Sequence, residues 1–167
     1  RNTDPEKLSK GLLLKELSIA PITEDIVTLG ASASHSILTE EEKEEIDMVI
    51  LATESGIDQS KAAAVFVHCL LRIQPFARSF EMKEACYAAT AALDYAKLHV
   101  EKFPQSKVLV IASDIAKYGI DTPGEPTQGA GSVAMLVTQN PRILAFNDDN
   151  VAQTRDVMDF WRPNYSS

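Results

Sequence analysis

Val108-Leu109-Val110-Ile111-Ala112-Ser113 is a short, continuous apolar run with a β-branched centre, and Met48-Val49-Ile50-Leu51-Ala52-Thr53 is its counterpart earlier in the chain. Runs of this length and composition read as strands buried on both faces of a sheet that carries helices on each side. Two segments with helical spacing lie between them. Residues 61–73 place Ala62, Ala63, Val65, Phe66, Cys69, Leu70 and Ile73 around most of a helix, which Pro75 stops. A second helix is predicted over residues 86–102, ended by Pro104. Its first turns, Cys86-Tyr87-Ala88-Ala89-Thr90-Ala91-Ala92, hold so little side-chain bulk that neighbouring backbones can approach closely. Helices between apolar strands predict an α/β sheet with right-handed crossovers.

Working outward, Asp4-Pro5-Glu6 starts a short amphipathic segment that ends at Pro21. Thr23, with Glu24 and Asp25 behind it, reads as the cap of a helix running to about residue 38. Thr39-Glu40-Glu41-Glu42 is a capping-box pattern opening a solvated acidic turn. Residues 76–82 read as a link. Past the second apolar run comes a loop with Tyr118, Gly119 and Gly124-Glu125-Pro126-Thr127-Gln128-Gly129-Ala130-Gly131, then strands at 132–138 and near 142–146. The chain reads as one domain over residues 1–167.

Composition narrows the function. Sixteen basic against 24 acidic residues give a net charge of −8, which argues against nucleic acid or an anionic membrane as the main partner. No apolar run reaches the ~18 residues of a membrane span. Two cysteines are too few for a disulfide framework, so both read as reduced thiols of a cytoplasmic protein.

Cys86 is the candidate nucleophile, because a helix start offers unpaired N–H groups and partial positive charge to a thiolate. The alternative, a small buried hydrophobe, stays open on this stretch alone. Glu54 is the candidate acid–base partner: it falls at the C-terminal end of a buried strand, where open α/β sheets place ligands and where burial favours a proton-exchanging carboxyl. Asp114 and Tyr118 follow the second strand at the same end. His99 lies too far along the helix from Cys86 to serve it, and His35 and His68 read as structural. The glycine-rich stretch precedes a strand and lacks a Lys-Ser/Thr pair, so it is not a phosphate loop; Gly129 and Gly131 are expected to permit close backbone approach.

Lys83-Glu84-Ala85-Cys86-Tyr87-Ala88-Ala89-Thr90, Ala52-Thr53-Glu54-Ser55, Ile73-Gln74-Pro75-Phe76-Ala77-Arg78, the glycine-rich stretch and Asp159-Phe160-Trp161-Arg162-Pro163 together resemble the bacterial 3-hydroxy-3-methylglutaryl-CoA synthase family, in one order and across essentially the whole chain. The resemblance implies a thiolase-like fold: one αβαβα half, with a mixed sheet and a buried central helix. It implies that Cys86 takes the acetyl group of acetyl-CoA and Glu54 removes a methyl proton. Condensation with acetoacetyl-CoA follows, in the mevalonate route to isoprenoids, without metal or redox cofactor. It places Tyr118, Thr127 and Phe160 along the acyl pocket and Asp4 and Pro5 near the CoA-bound substrate, and it implies a homodimer. By the same resemblance a first strand belongs before Arg1 and a second half, with a catalytic histidine, after Ser167; none of His35, His68 and His99 matches that histidine. Turnover by this chain alone is therefore not expected. A ketoacyl synthase type condensing enzyme and a non-catalytic folding or dimerisation module are the other readings. Glu54 argues against the ketoacyl synthases, which rely on histidine for this work.

Overall fold

The computed structural model describes residues 6–158 and 161–163 of the chain. Its centre is a four-stranded mixed sheet built from β1 (Ile46–Ala52), β2 (Arg78–Met82), β3 (Lys107–Ile115) and β4 (Ala130–Val137), in the order β2-β1-β3-β4. β1 runs parallel to both β2 and β3, and β4 returns antiparallel to β3. Helices α1 (Ile26–His35) and α3 (Ala63–Leu71) pack against one face of the sheet, and α4 (Ala88–Lys102) against the other; the short α2 (Glu40–Glu45) leads into β1.

Strand periodicity explains the two cores. Val49 and Leu51 of β1 and Leu109 and Ile111 of β3 point toward Ile26, Val27, Ala63, Ala64 and Val67. The alternate residues Met48, Ile50, Val108 and Val110 meet Ala92, Ala96 and Val100 of α4. Every residue of β1 except Asp47 is buried, as a strand covered on both faces requires. Gly30 of α1 sits so close to the sheet that an added Cβ would lie 3.2 Å from Ile111 Cγ2. On α4, the alanines buried against the sheet are Ala88, Ala92 and Ala96, whereas Tyr95 and Leu98 on its outer side are 46% and 63% exposed.

Several predicted elements differ. Residues 78–82, expected as a link, form β2, an edge strand that pairs in register with β1. Residues 142–146, expected as a strand, are irregular, and Ile143 and Leu144 face solvent. The cap of α1 is Asp25 rather than Thr23: its carboxylate accepts from the Val27 and Thr28 amides, while Thr28 Oγ1 accepts from the Asp25 amide. The capping box of Thr39 and Glu42 forms as expected. α3 is shorter than predicted and leaves Val65, Cys69 and Leu70 exposed. The segment after Asp4 and Pro5, which lie outside the described residues, makes one π-helical turn (Lys7–Gly11). An added Cβ on Gly131 would meet open space, so this glycine serves no close approach.

Candidate active site

Three elements end at one edge of the sheet. β1 stops at Ala52, and the Thr53 amide still donates to the Met82 carbonyl of β2, 3.1 Å away, which carries the ladder one residue further. Glu54 comes next. Its turn is organised by Asp114 from the end of β3: Asp114 Oδ1 accepts from Thr53 Oγ1 at 2.8 Å, the Glu54 amide at 2.8 Å, the Ser55 amide at 3.1 Å and Ser55 Oγ at 2.9 Å. A carboxylate taking charge-assisted bonds from two consecutive amides fixes the backbone from which the Glu54 side chain projects.

That side chain is only 8% exposed and has a donor on each oxygen. The Tyr118 hydroxyl donates to Oε1 at 2.6 Å, and Arg162 Nη2 donates to Oε2 at 2.8 Å. Arg162 also reaches the Glu54 carbonyl at 3.4 Å and holds its guanidinium 5.5 Å from the centre of the Tyr118 ring. Tyr118 is itself placed by its loop. Its amide donates to Gln128 Oε1 at 2.5 Å, and Gly124 lies against its side chain, where an added Cβ would come within 3.1 Å of Tyr118 Cβ and 3.5 Å of the ring.

Cys86 stands in a 3-10 turn, Ala85–Tyr87, that runs directly into α4. Ala85 before it takes φ +40, a left-handed conformation that costs an alanine energy and sets the direction in which Cys86 leaves the turn. Neither this turn nor α4 has a side-chain N-cap; the Tyr87 amide donates to the Glu84 carbonyl at 2.9 Å and the Ala88 amide to the Ala85 carbonyl. Cys86 is exposed, which removes the reading of it as a small buried hydrophobe. The Tyr118 phenol is pushed up to about 12. The hydrogen bond to the Glu54 carboxylate is the main cause, followed by burial, the Glu54 charge and the negative charge of Cys86; Arg162 acts in the opposite direction.

The structure thus joins Glu54, Tyr118 and Asp114 at the C-terminal edge of the sheet, where the strand ends predicted them, and Cys86 follows four residues after Met82, whose carbonyl accepts from the Thr53 amide at that edge. Thr127 lies on the Tyr118 loop with its hydroxyl donating to the Gly124 carbonyl at 2.7 Å. Phe160, Asp4 and Pro5 lie outside the described residues. Arg162 was not singled out by the sequence reading, although the Asp-Phe-Trp-Arg-Pro motif containing it was. Among the described residues no group of three or more His, Cys, Asp or Glu side chains is arranged to hold a metal ion. No helix among them is long and apolar enough to cross a membrane. A cleft of about 900 Å³ lies elsewhere, between the second half of α4, β4 and residues 138–146; neither Cys86 nor Glu54 lines it.

The family described as hydroxymethylglutaryl-coenzyme A synthase N terminal matches residues 1–142. This chain belongs to that family. The hydroxymethylglutaryl-CoA synthase of Enterococcus faecalis is 61% identical over 98% of the chain, which spans 43% of that relative. A hydroxymethylglutaryl-ACP synthase of polyketide biosynthesis from Bacillus subtilis is 38% identical over 92% of the chain. A crystal structure of an HMG-CoA synthase complexed with CoA superposes with a TM-score of 0.94 at 74% identity, covering 98% of this chain and 42% of that one. The structure of MvaS in complex with 3-hydroxy-3-methylglutaryl coenzyme A superposes at 0.90, with 38% identity over 97% of this chain and 40% of its own. The thiolase-like architecture expected from the resemblance is therefore the architecture of this chain, and the chain spans well under half the length of the relatives it matches.

Proposed function

We propose that this chain carries the acyl-accepting site of an enzyme that condenses acetyl-CoA with acetoacetyl-CoA to 3-hydroxy-3-methylglutaryl-CoA. The observation that supports this reading is the convergence of a helix-start thiol with a buried, doubly hydrogen-bonded carboxylate at one sheet edge. In the proposed sequence the Cys86 thiolate attacks the acetyl-CoA carbonyl, and CoA leaves as a thiolate that takes up a proton. Amides at the start of α4 stabilise the oxyanion of this step and the enolate oxygen of the next. Glu54 then removes a methyl proton from the bound acetyl group, and the resulting carbon adds to the ketone of acetoacetyl-CoA, whose oxygen is protonated. Water cleaves the thioester to Cys86, releasing a carboxylate and restoring the thiol. Thioester chemistry supplies all the activation, so the reading calls for no metal or redox cofactor.

Tyr118 is the residue we assign to hold the Glu54 carboxylate toward the acyl group, with Thr127 on the same loop, and with Phe160, Asp4 and Pro5 as further substrate contacts. The same reading assigns the parent protein to the mevalonate route, as a cytoplasmic homodimer.

Intact mass after brief incubation with acetyl-CoA tests it. An acetyl adduct is expected on the chain and on Glu54→Gln, and none on Cys86→Ser. A folded chain that takes no acetyl group would overturn the assignment of the first step to this chain.

A further inference from the structure

We propose that Arg162 is a positioning residue that balances the charge of the site, neutralising Glu54 so that a carboxylate and the Cys86 thiolate share one pocket. The proposal rests on the roles just assigned to Cys86 and Glu54.

The problem it solves is electrostatic. Two anions close together disfavour each other's charged form, and Glu54, at 8% side-chain exposure, has little water around it to screen its charge. Tyr118 occupies Oε1 with a neutral hydroxyl, which orients the carboxylate but leaves its charge uncancelled. Arg162 places a full positive charge on the other oxygen, at 2.8 Å. The same Nη2 that meets Oε2 also reaches the Glu54 main-chain carbonyl at 3.4 Å, and the guanidinium lies 5.5 Å from the centre of the Tyr118 ring. Cys86 is tied to the same edge by the chain, since it follows the end of β2 by four residues and the Met82 carbonyl there accepts from the Thr53 amide next to Glu54 at 3.1 Å.

The chain delivers this cation from a distance. Arg162 lies beyond the last strand, and the preceding segment is tied to α4 by Asp148 on Lys97 and by Asn150 on Asp94, each at 2.7 Å. The helix that presents Cys86 at its start therefore also anchors the segment that returns Arg162 to Glu54.

The test is alkylation of Cys86 by iodoacetamide near neutral pH, followed by intact mass in a Cys69→Ser background so that one thiol reports. Arg162→Gln is expected to slow alkylation about three- to tenfold, the exposure of Arg162 keeping the effect below that of a fully buried pair. Arg162→Lys is expected to recover most of the rate. Glu54→Gln is expected to speed alkylation, and Glu54→Gln/Arg162→Gln to show no slowing relative to the chain with both residues intact. Equal rates for Arg162→Gln and the parent chain would overturn the proposal, as would a slowing that persists undiminished in the double variant. Should Arg162→Gln unfold, its thiol reacts faster rather than slower, and the Glu54→Gln arm decides, an unchanged rate there overturning the proposal. No acyl-CoA enters this assay, so its outcome is separable from that of the acetyl-adduct experiment.

Discussion

The two ends of the sheet use the same strands and the same helix to gather polar groups, and only one end assembles a reactive constellation. At the C-terminal edge stand Glu54, Asp114 and Tyr118 around the start of α4. At the opposite edge stand Asp47 of β1, Ser106 just before β3 and His99 in the last turn of α4. The second group contains a serine, a histidine and an aspartate, yet its connections are wrong for nucleophilic catalysis. The Ser106 hydroxyl lies 2.5 Å from Asp47 Oδ2, so its proton is directed to the carboxylate, and His99 Nε2 is 3.2 Å from Ser106 Oγ and 3.8 Å from Asp47 Oδ2. A nucleophile needs its proton on the base and the base oriented by the acid. Here the serine bridges both, which ties the end of α4 to the sheet. Helix polarity separates the two ends further. The Glu54 edge receives a helix start, whose amides favour anions, and the opposite edge receives the carbonyls of a helix end, which do not.

The comparison breaks most severely at Asp114. Asp114→Ala removes the acceptor shared by Thr53, Glu54 and Ser55, leaving two amides and two hydroxyls at the mouth of β1 without it. A loss of about 3 kcal/mol in urea unfolding is expected, since buried donors left unmade cost more than an average bond returns. If the variant instead unfolds like the parent chain, this carboxylate is not what fixes the Glu54 turn.

Next comes the helix that joins the two ends. Ala92 is fully buried between α4 and the sheet, and Ala92→Leu is expected to cost about 2 kcal/mol by overpacking. Because the strain falls midway along α4, both edges should feel it, seen as faster Cys86 alkylation together with a lower urea midpoint.

The same elements show how much was legible in the residues. β1 and β3 could be read because both faces are covered, which makes them continuously apolar, and their ends located Glu54, Asp114 and Tyr118. β2 could not. Arg78-Ser79-Phe80-Glu81-Met82 is an edge strand with charges at two positions, and Glu81 is used elsewhere, its carboxylate accepting from the Ala63 amide at 2.8 Å where α3 lacks a cap of its own. Residues 142–146 mislead in the opposite sense, since apolar composition without a covering layer leaves Ile143 and Leu144 in solvent. Arg162 is invisible to any local pattern because its partner is Glu54, across the whole fold from it in sequence.

A smaller effect separates the edges from each other. Ser106→Ala removes the bridge between Asp47 and His99 and should cost about 1 kcal/mol in urea unfolding. It should leave Cys86 alkylation unchanged, and a change in that rate would mean that the two edges communicate through α4.

The smallest effect is one of pH, and it belongs to the Glu54 edge alone. Tyr118 is raised from 10.0 to about 12, chiefly because its proton is held on the Glu54 carboxylate. The folded chain therefore keeps this proton at a pH where the unfolded chain has released it. It follows that the stability contributed by the contact is complete below pH 10 and is lost as pH rises toward 12. Solvent access at the site keeps the contribution to about 1 kcal/mol, below what the full shift would give. Urea midpoints at pH 9 and pH 11 should fall further for the parent chain than for Tyr118→Phe, which has no phenolic proton there to lose. Equal falls would mean that Tyr118 titrates alike in both states, and the hydrogen bond to Glu54 would then not hold the carboxylate in place.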